Sequence, residues 1–248
     1  FEMLEQVVVV AREEQGESIN EMATVSAKTV TVEETGRYAG SLNDPARSVS
    51  AFAGVVGDAE GNNDIVVRGN SPLGVLYRVE GIDIPNPNHF SVSGSSGGPV
   101  SIINNKILSN SDFFTGAFPS EFGNSTAGVF DLKLRSGNNE KFEFTGQLGL
   151  FGTELLAEGP ISKKNGSSFL MMYRYSTLVF FGKLGIDLGT DAIPYYQDLN
   201  FKLNFPLKKG GKVSLWAMSG ISNIDILISE QKNKDELETF GVNDKDQH

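Results

Sequence analysis

Repeated alternation of apolar and polar residues in the second half of the chain is the feature that most restricts its fold. From Lys141 onward, segments of roughly ten residues alternate in this way. The apolar members, which share one face of each segment, are Phe142, Phe144, Leu148, Leu150, Phe169, Met171, Tyr173, Tyr175, Leu199, Phe201, Leu203, Phe205, Val213, Leu215 and Ala217. Because successive side chains of a strand point to opposite faces, this period of two predicts antiparallel strands with one apolar face. A transmembrane barrel and a half-buried soluble sheet both fit the pattern.

The connections between these segments favour the membrane barrel. Short turns are predicted at residues 162–166 and 208–211, and long connections at 178–194 and 229–248, an asymmetry typical of outer-membrane barrels. The predicted strands, about five in number, cover residues 142–150, 153–160, 168–177, 197–205 and 212–228. About five strands cannot close a barrel, and an open sheet edge is not stable in a bilayer. The sequence therefore predicts the opening strands of a truncated barrel, with the others in a longer chain or in another chain.

Two short apolar runs in the first half of the chain predict a pair of strands. Ile65–Val67 and Val75–Val79 are rich in β-branched and aromatic residues, and the turn formers of residues 69–72 separate them. Arg68 and Glu80 interrupt the runs with opposite charges. This order of strand, turn and strand predicts a β-hairpin with solvated ends.

Further elements complete a small domain of mixed α and β structure. Strands are predicted within residues 24–30, 112–118 and 130–134. Helices are predicted to begin at Thr31, at the Asp44-Pro45 pair and at Pro99. The apolar faces of the last two helices are predicted to be Ala46, Val49, Phe52, Ala53 and Val56, and Val100, Ile103 and Ile107.

Composition excludes several classes of function. A formal net charge of −10 argues against a nucleic-acid-binding surface, which needs clustered Lys and Arg. With no cysteine and two distant histidines, we expect no disulfide framework, no metal site and no cofactor. No apolar run reaches the roughly 20 residues of a membrane helix. Residues 1–5 lack the features of a signal peptide, so the chain is expected to be mature or internal.

One catalytic pattern occurs in the sequence and is rejected. Gly94-x-Ser96-x-Gly98 matches the nucleophile elbow of hydrolases. That elbow needs a buried strand before the serine and a later histidine, whereas no such strand precedes Ser96 and the only later histidine is His248. We therefore predict no catalytic residue and do not expect an enzyme.

Several motifs within residues 5–137 become specific when their order is considered. They are Val66-Val67-Arg68-Gly69, Leu76-Tyr77-x-Val79-Glu80-Gly81, Gly116-Ala117-x-Pro119-x-Glu121-Phe122-Gly123-Asn124 and a closing strand that ends in Ser136-Gly137. In this order and spacing they resemble the plug domain of TonB-dependent outer-membrane receptors. Glu80-Gly81 departs from the Asp-Gly that the family usually carries. Residues 38–47 resemble the versions of this plug found in Bacteroidota.

The resemblance implies a fold class, an α+β plug domain followed by antiparallel strands of a truncated transmembrane β-barrel. Residues 1–20 are expected to be a TonB-box-like segment and tether, residues 21–137 the plug domain, and residues 138–248 the first barrel strands. The implied function is that of the N-terminal part of an outer-membrane transporter, which imports a scarce nutrient when TonB-coupled energy rearranges the plug. Two alternatives stay open: a plug-like structural subunit that occludes a pore formed by another chain, and a soluble carbohydrate-binding module, which the single Trp disfavours.

The resemblance also implies functional residues and partners. A β-prone segment is expected to add as a strand to TonB, although an ordinary first strand explains it too. Its residues are Glu5, Gln6, Val7, Val8, Val9, Val10 and Ala11. Arg68 and Glu80 are the implied ties between plug and barrel. Substrate contacts are expected at Asn86, Asn88, His89 and Phe90, in a segment that equally fits a flexible linker. The implied partners are TonB, the rest of the barrel or a partner barrel chain, the lipid bilayer and a surface lipoprotein.

Overall fold

The chain forms two five-stranded sheets that pack against each other. The computed structural model describes residues 18–23, 25–31, 39–57, 61–91, 95–149, 152–177 and 192–226. The first sheet, here the mixed sheet, consists of β1 (Ala27–Val30), β8 (Ser111–Phe114), β9 (Gly128–Leu132), β4 (Val75–Val79) and β5 (Ile82–Ile84) in that spatial order. The second sheet, here the meander, consists of β10 (Glu143–Leu148), β11 (Thr153–Ser162), β12 (Ser167–Tyr175), β13 (Ala192–Pro206) and β14 (Lys212–Ile226) in chain order.

The strands β8 and β9 of the mixed sheet are buried on both faces. The strands of this sheet pair antiparallel except for β4 and β9, which run parallel. On one face, Tyr77 and Phe130 stack with their ring centroids 4.8 Å apart, and Phe113 packs on Phe130 at 4.5 Å. Leu170 and Met172 of the meander belong to this same buried cluster. The two sheets therefore share one apolar core.

The predicted hairpin is wrong, although both of its strands form. β3 (Ile65–Val67) pairs with β2 (Val55–Gly57), whereas β4 lies in the mixed sheet. The hairpin turn is instead Glu80-Gly81, which joins β4 to β5. Both turn residues have positive φ, 51° at Glu80 and 86° at Gly81, as a two-residue type I′ turn requires. The turn chemistry of Glu80-Gly81 therefore decides the pairing.

The predicted helices are shorter than expected or absent. α1 covers only Pro45–Val49, with Asp44 as its N-cap, and Val56 of its predicted apolar face lies in β2. The predicted helix from Pro99 is wrong: β7 (Val100–Ser101) pairs with β6 (Asn88–His89), and a 3₁₀ turn follows at Asn105–Ile107. The physical reason is local, since the side chains of residues 101 and 104 accept hydrogen bonds from backbone N–H groups that a helix would use. The helix predicted from Thr31 lies outside the described residues.

The predicted strands and the predicted fold class are confirmed. β1, β8 and β9 fall at the predicted positions, although β8 ends at Phe114 rather than at residue 118. All five meander strands form at the predicted segments, although β13 begins at Ala192, before its predicted start at residue 197 and inside the predicted connection 178–194. In the part of the chain that the structure describes, no helix has the length and apolar character needed to span a membrane.

The polarity of the meander is inverted relative to a soluble sheet. Most side chains of β11, β12 and β13 that face the mixed sheet are buried, and the polar ones on this face include Glu158, Ser168, Arg174, Ser176, Asp198, Asn200, Lys202 and Asn204. The opposite face is apolar and exposed, with Leu148 at 85% and Phe144 at 78% relative exposure. Exposed apolar side chains on this face also include Leu155, Met171, Val213, Leu215 and Ile221. Because exposure of so large an apolar face to water is unfavourable, the arrangement is typical of a sheet whose outer side contacts lipid.

Candidate functional site: the polar interface between the two sheets

Glu80 and Lys202 form the central ion pair between the mixed sheet and the meander. Lys202 Nζ lies 3.0 Å from Glu80 Oε1 and donates to the carbonyl of Leu134 at 2.7 Å. The backbone N–H of Leu134 donates to the same Glu80 oxygen at 2.6 Å. Lys202 is only 2% exposed, so its charge depends on these acceptors for compensation. The alternation of side chains along β13 directs Lys202 inward with Asn200 and Asn204, and the positive-φ turn at Glu80 brings the carboxylate to it.

A second tie joins Arg135 to Glu158 of β11. The guanidinium donates through Nη1 and Nη2 to the two carboxylate oxygens at 2.7 and 2.6 Å, which is a bidentate pair. Arg135 Nε donates to the carbonyl of Lys106 at 2.8 Å, and the N–H of Asn138 donates to Glu158 at 2.8 Å. All donors of this pair therefore come from the segment that leads out of the mixed sheet, and the carboxylate comes from the meander.

A third tie centres on Glu154 of β11. Its carboxylate lies 2.5 Å from Lys106 Nζ and accepts from Asn104 Nδ2 at 3.0 Å. The 3₁₀ turn at Asn105–Ile107 holds Lys106 in place, because Asn104 caps that turn. The structure that replaces the predicted helix therefore presents a cation to the meander.

A buried triad of His89, Asp198 and Arg174 forms a fourth tie. His89 Nε2 lies 3.1 Å from Asp198 Oδ2, and Arg174 donates to both oxygens of Asp198 at distances between 2.7 and 3.0 Å. Arg174 also donates to the carbonyl of Ser101. Asp198 and Arg174 belong to the meander, whereas His89 and Ser101 belong to the short strands β6 and β7. The triad thus fastens the β6–β7 pair to the wall formed by β12 and β13.

The four ties give the interface a specific chemical character. Each joins a side chain of the meander to a residue that precedes the meander in the chain, and the carboxylates are supplied from both sides. Buried ion pairs add little net stability, because desolvation offsets their attraction, but removing one partner is costly. Such an interface fixes one relative position of the two sheets without relying on apolar burial alone.

Of the two predicted ties, Glu80 lies in this interface and Arg68 lies apart from it. Arg68 is exposed, with φ of 50°, and Nη2 donates to Ser26 Oγ at 3.1 Å. Its side chain lies beside Gly54 and Gly116. These contacts within the described residues all belong to the mixed sheet and its loops, so a tie from Arg68 to a barrel wall stays a prediction.

The four residues predicted to contact substrate lie on an anchored segment rather than on a loose linker. Asn88 and His89 are buried. Asn88 Nδ2 donates to Asn86 Oδ1 at 2.7 Å, and Asn88 Oδ1 accepts from Asn63 Nδ2 at 2.6 Å. Asn86 and Phe90 are half-buried, and the Phe90 ring lies edge-on to Tyr196 at 6.3 Å. Asn86 and Phe90 therefore keep some access to solvent, whereas the other two side chains serve the interior in this conformation.

Asp44 is linked to this anchored segment through Asn63, which donates to both Asp44 and Asn88. Its carboxylate accepts from the Ala46 N–H at 2.8 Å, as the N-cap of α1, and from Asn63 Nδ2 at 2.7 Å. Burial raises the pKa of Asp44 above the ordinary value of an aspartate, although the hydrogen bond from Asn63 opposes the shift. The network therefore contains a carboxylate whose charged form is penalised by its surroundings.

Sequence reasoning missed most of the charged residues of the interface. The alternation of apolar and polar residues places Arg174 and Lys202 on the polar face of the predicted strands, but it predicts none of the pairs, and only a general role for Glu80 is expected from the sequence. The available sign was a charged residue at an inward position of a strand, because such a charge must be compensated. Residues 5–11, the predicted TonB-binding segment, lie outside the described residues. Among the described residues no group of three potential metal ligands occurs.

Comparison with known proteins identifies the fold. No protein-family model matches the chain, and no curated protein matches it. Among solved structures, the ferric enterobactin receptor PfeA in complex with BCV-L6 has a TM-score of 0.53 and 14% sequence identity, over 80% of this chain and 33% of that chain. The fold is that of the N-terminal part of TonB-dependent outer-membrane receptors. The similarity extends over the mixed sheet and the meander, which correspond to the plug and part of the barrel.

Two further structures of TonB-dependent receptors are similar over the same region. The pyoverdine outer membrane receptor FpvA from Pseudomonas aeruginosa PAO1, bound to pyoverdine, has a TM-score of 0.55 and 16% identity, over 80% of this chain and 28% of that chain. The outer membrane transporter YddB from Escherichia coli has a TM-score of 0.53 and 15% identity, over 81% of this chain and 33% of that chain. The chain thus spans about a third of the length of the TonB-dependent receptors that it resembles.

Proposed function

We propose that this chain is the N-terminal part of a TonB-dependent outer-membrane transporter that imports a nutrient by rearrangement of the plug. The observation that carries the proposal is the inverted meander, whose charged face binds the mixed sheet and whose apolar face is exposed. A sheet of that polarity suits a barrel wall with lipid outside and a plug inside. The fold similarity to TonB-dependent receptors supports the same assignment.

The polar interface has the properties that a movable plug needs. Its ties at Glu80, Arg135, Lys106 and His89 define one seated position. Because ion pairs exchange their partners for water when they separate, they release with less penalty than an apolar interface of the same area. No bond of the nutrient is made or broken in this function, so the protein acts as a transporter and not as an enzyme.

The proposed partners follow from the edges and faces of the structure. TonB would bind residues 5–11 by strand addition, and the rest of the barrel would pair with the outer edges of β10 and β14. Lipid would cover the apolar face of the meander. A surface lipoprotein and an origin in Bacteroidota belong to the proposal as features of the plug versions that residues 38–47 resemble. Nutrient contacts are proposed at Asn86 and Phe90, with Asn88 and His89 reached only after the triad opens.

TonB binding is the direct test of the proposal. The complete gene product, purified from outer membranes, is titrated with the periplasmic domain of TonB, and binding is followed by biolayer interferometry. Val8→Pro removes a backbone N–H from the predicted strand and should abolish binding. Gln15→Pro, placed in the tether, is the matched control and should bind as the wild type does. Equal binding of the wild type and Val8→Pro would overturn the assignment of residues 5–11.

The structural-subunit alternative is separated by mass and by uptake. A polypeptide several times 26.8 kDa in outer membranes supports the transporter, and a mass near 26.8 kDa supports a subunit that closes another chain's pore.

Arg68→Ala should change the uptake rate if Arg68 ties the plug to the barrel wall, and an unchanged rate counts against that tie.

A further inference from the structure

The carboxylate of Asp112 in β8 receives hydrogen bonds from the segment that precedes the mixed sheet. Ser18 Oγ and the N–H of Asn20 donate to Oδ2 at 2.9 and 2.8 Å, and the N–H of Ile19 donates to Oδ1 at 3.0 Å. Thr29 of β1 adds a bond to Oδ1 at 2.8 Å. Asp112 is 2% exposed. Most of the donors that compensate this buried charge therefore come from residues 18–20.

The neighbours of Asp112 make those donors necessary. Asp131 of β9 stands directly opposite Asp112, so the two carboxylates share one face of the sheet. Like charges in that position repel each other. Lys133 lies 2.9 Å from Asp131 and compensates it, whereas Asp112 accepts hydrogen bonds from residues 18–20 and from Thr29. Without residues 18–20, Asp112 would keep only the hydrogen bond from Thr29 among these four, and most of its buried negative charge would be uncompensated.

Residues 18–23 are held on the sheet by backbone and polar contacts rather than by apolar side chains. Ile19 is 54% exposed and Met22 is 65% exposed. Asn20 Nδ2 donates to Glu121 Oε1 at 3.0 Å, and Ala23 packs on the small apolar cluster of this face. The attachment of the segment therefore depends on a few hydrogen bonds, of which Asp112 accepts the charge-assisted ones.

We propose that Asp112 is the anchor that holds residues 18–20 on the mixed sheet and that tension applied to the N-terminal segment is delivered to this anchor first. The inference rests on the proposed function, because residues 12–17 connect the predicted TonB-binding segment to Ser18. The pairing of β1 with β8 begins only at Ala27, so a pull from the N-terminus loads the Asp112 bonds before it loads that pairing.

Release of the anchor has a consequence for the sheet. Once residues 18–20 leave, Asp112 and Asp131 oppose each other with fewer compensating donors, which weakens the pairing between β8 and β9. β1 pairs only with β8 among the described strands, and its Thr29 then supplies the bond that Asp112 retains. The anchor thus couples detachment of the segment to loosening of the sheet edge that follows it in the chain.

Residues 1–248 contain no cysteine, and any cysteine elsewhere in the complete gene product is first replaced by serine. The anchor can then be tested with paired spin labels in that protein in detergent micelles, without TonB. Labels are placed at Met22→Cys and Ile82→Cys, both exposed positions, and their distance distribution is measured by double electron–electron resonance. Asp112→Asn should raise the detached population about tenfold, since it weakens charge-assisted bonds. Asp131→Asn, on the same face but without contact to residues 18–20, should leave the distribution narrow.

A second variant pair removes a donor and leaves Asp112 intact. Ile19→Pro deletes the N–H that donates to Oδ1, whereas Ile19→Ala keeps it and shortens only an exposed side chain. We expect Ile19→Pro to broaden the distribution and Ile19→Ala to keep it narrow. A narrow distribution in both Asp112→Asn and Ile19→Pro would overturn the anchor, and this holds also if Asp112→Asn fails to fold and Ile19→Pro alone stays narrow.

The outcome is independent of the TonB-binding test. If the labels show detachment but Val8→Pro still binds TonB, the anchor stands and the assignment of residues 5–11 fails. If TonB binding requires residue 8 but the labels show no detachment, the proposed function stands and the anchor fails.

Discussion

Glu80 and Lys202 lie 3.0 Å apart and join the turn between β4 and β5 of the mixed sheet to strand β13 of the meander. Glu80 occupies a turn position with φ of 51°, where Asn, Asp or Gly is the ordinary choice. The ion pair and the bond from the Leu134 N–H account for a glutamate there, because its longer side chain reaches the meander. The strain of a positive φ at Glu80 is therefore accompanied by a stabilising contact between the two sheets.

Lys202→Met should lower the free energy of unfolding by about 2 kcal/mol, because it leaves Glu80 without its cation and the Leu134 carbonyl without a donor. The measurement is urea unfolding of the complete gene product in phospholipid vesicles. Lys209→Met, in the exposed turn between β13 and β14, is the matched control and should change it by less than about 0.5 kcal/mol. Equal effects of the two substitutions would remove the ion pair from the account of the interface.

Gly81→Ala should destabilise the β4–β5 turn by about 1 kcal/mol, because φ is 86° at this position and an L side chain strains that conformation. A Cβ at Gly81 would meet no heavy atom within 4 Å, so the cost is conformational rather than steric. Gly123, which also has open space but no positive φ, is the control. Gly123→Ala should be neutral or slightly stabilising in the same unfolding assay, and a loss as large as that of Gly81→Ala would refute the conformational explanation.

Arg135→Ala should cost about 3 kcal/mol, because it leaves the buried Glu158 carboxylate without its bidentate partner. Arg135→Lys should recover only part of the loss, since an ammonium cannot make two parallel bonds to the carboxylate. Lys141→Ala removes an ion pair with Glu143 on the exposed surface and should destabilise the protein far less than Arg135→Ala, because solvent screens an exposed pair. If Arg135→Ala were as mild as Lys141→Ala, the tie to the meander would carry no energetic weight.

The meander could be predicted almost residue by residue, whereas the pairing of the mixed sheet could not. Alternation along a strand is local, so the sequence around Phe201 and Lys202 reveals both the strand and its polar face. The partner of β4 is β9, which lies far along the chain, and no local pattern specifies it. Turn chemistry at Glu80-Gly81 was the missed local clue, because it fixes β5 as the hairpin partner.

The candidate site could be predicted only in part, because its charged residues are recognisable locally whereas their partners are set by long-range packing. A charge at an inward position, such as Lys202, can be recognised as one that needs a partner. The identity of that partner depends on how two sheets pack, and Glu80 is remote from it in sequence. The spacing of Val100, Ile103 and Ile107 predicts a helix that does not form. Buried residues at helical spacing also occur in irregular segments, where hydrogen bonds to side chains determine the backbone conformation.

The raised pKa of Asp44 predicts an unusual pH dependence of α1. A carboxylate whose folded pKa lies above its unfolded value of about 3.9 stabilises the fold below that value, and the contribution is lost as pH rises through the folded pKa. Opening of α1 is measured by the reactivity of Val49→Cys, a buried position in a chain without other cysteines. The control is Asp44→Ser in the same Val49→Cys background, because serine keeps an N-cap oxygen but has no carboxyl group. The opening free energy with Asp44 minus that with Ser at residue 44 should increase as pH falls from about 7 toward 4. A difference that shrinks in acid would contradict the effect of burial.

Leu215→Arg distinguishes a lipid-facing meander from one that lies in water. Leu215 is exposed on the apolar face of β14, and Leu207 is exposed to a similar degree in the turn between β13 and β14. An arginine on a lipid-facing strand costs up to about 2–4 kcal/mol at the midplane of the bilayer, and the cost falls toward zero at the membrane boundary, so a position inside β14 should suffer more than one in the turn. We therefore expect Leu215→Arg to reduce the amount of the complete gene product folded in vesicles strongly, and Leu207→Arg to have little effect. In water both charges would be solvated and the two variants would fold equally well, so equal folding would show that the apolar face meets something other than lipid.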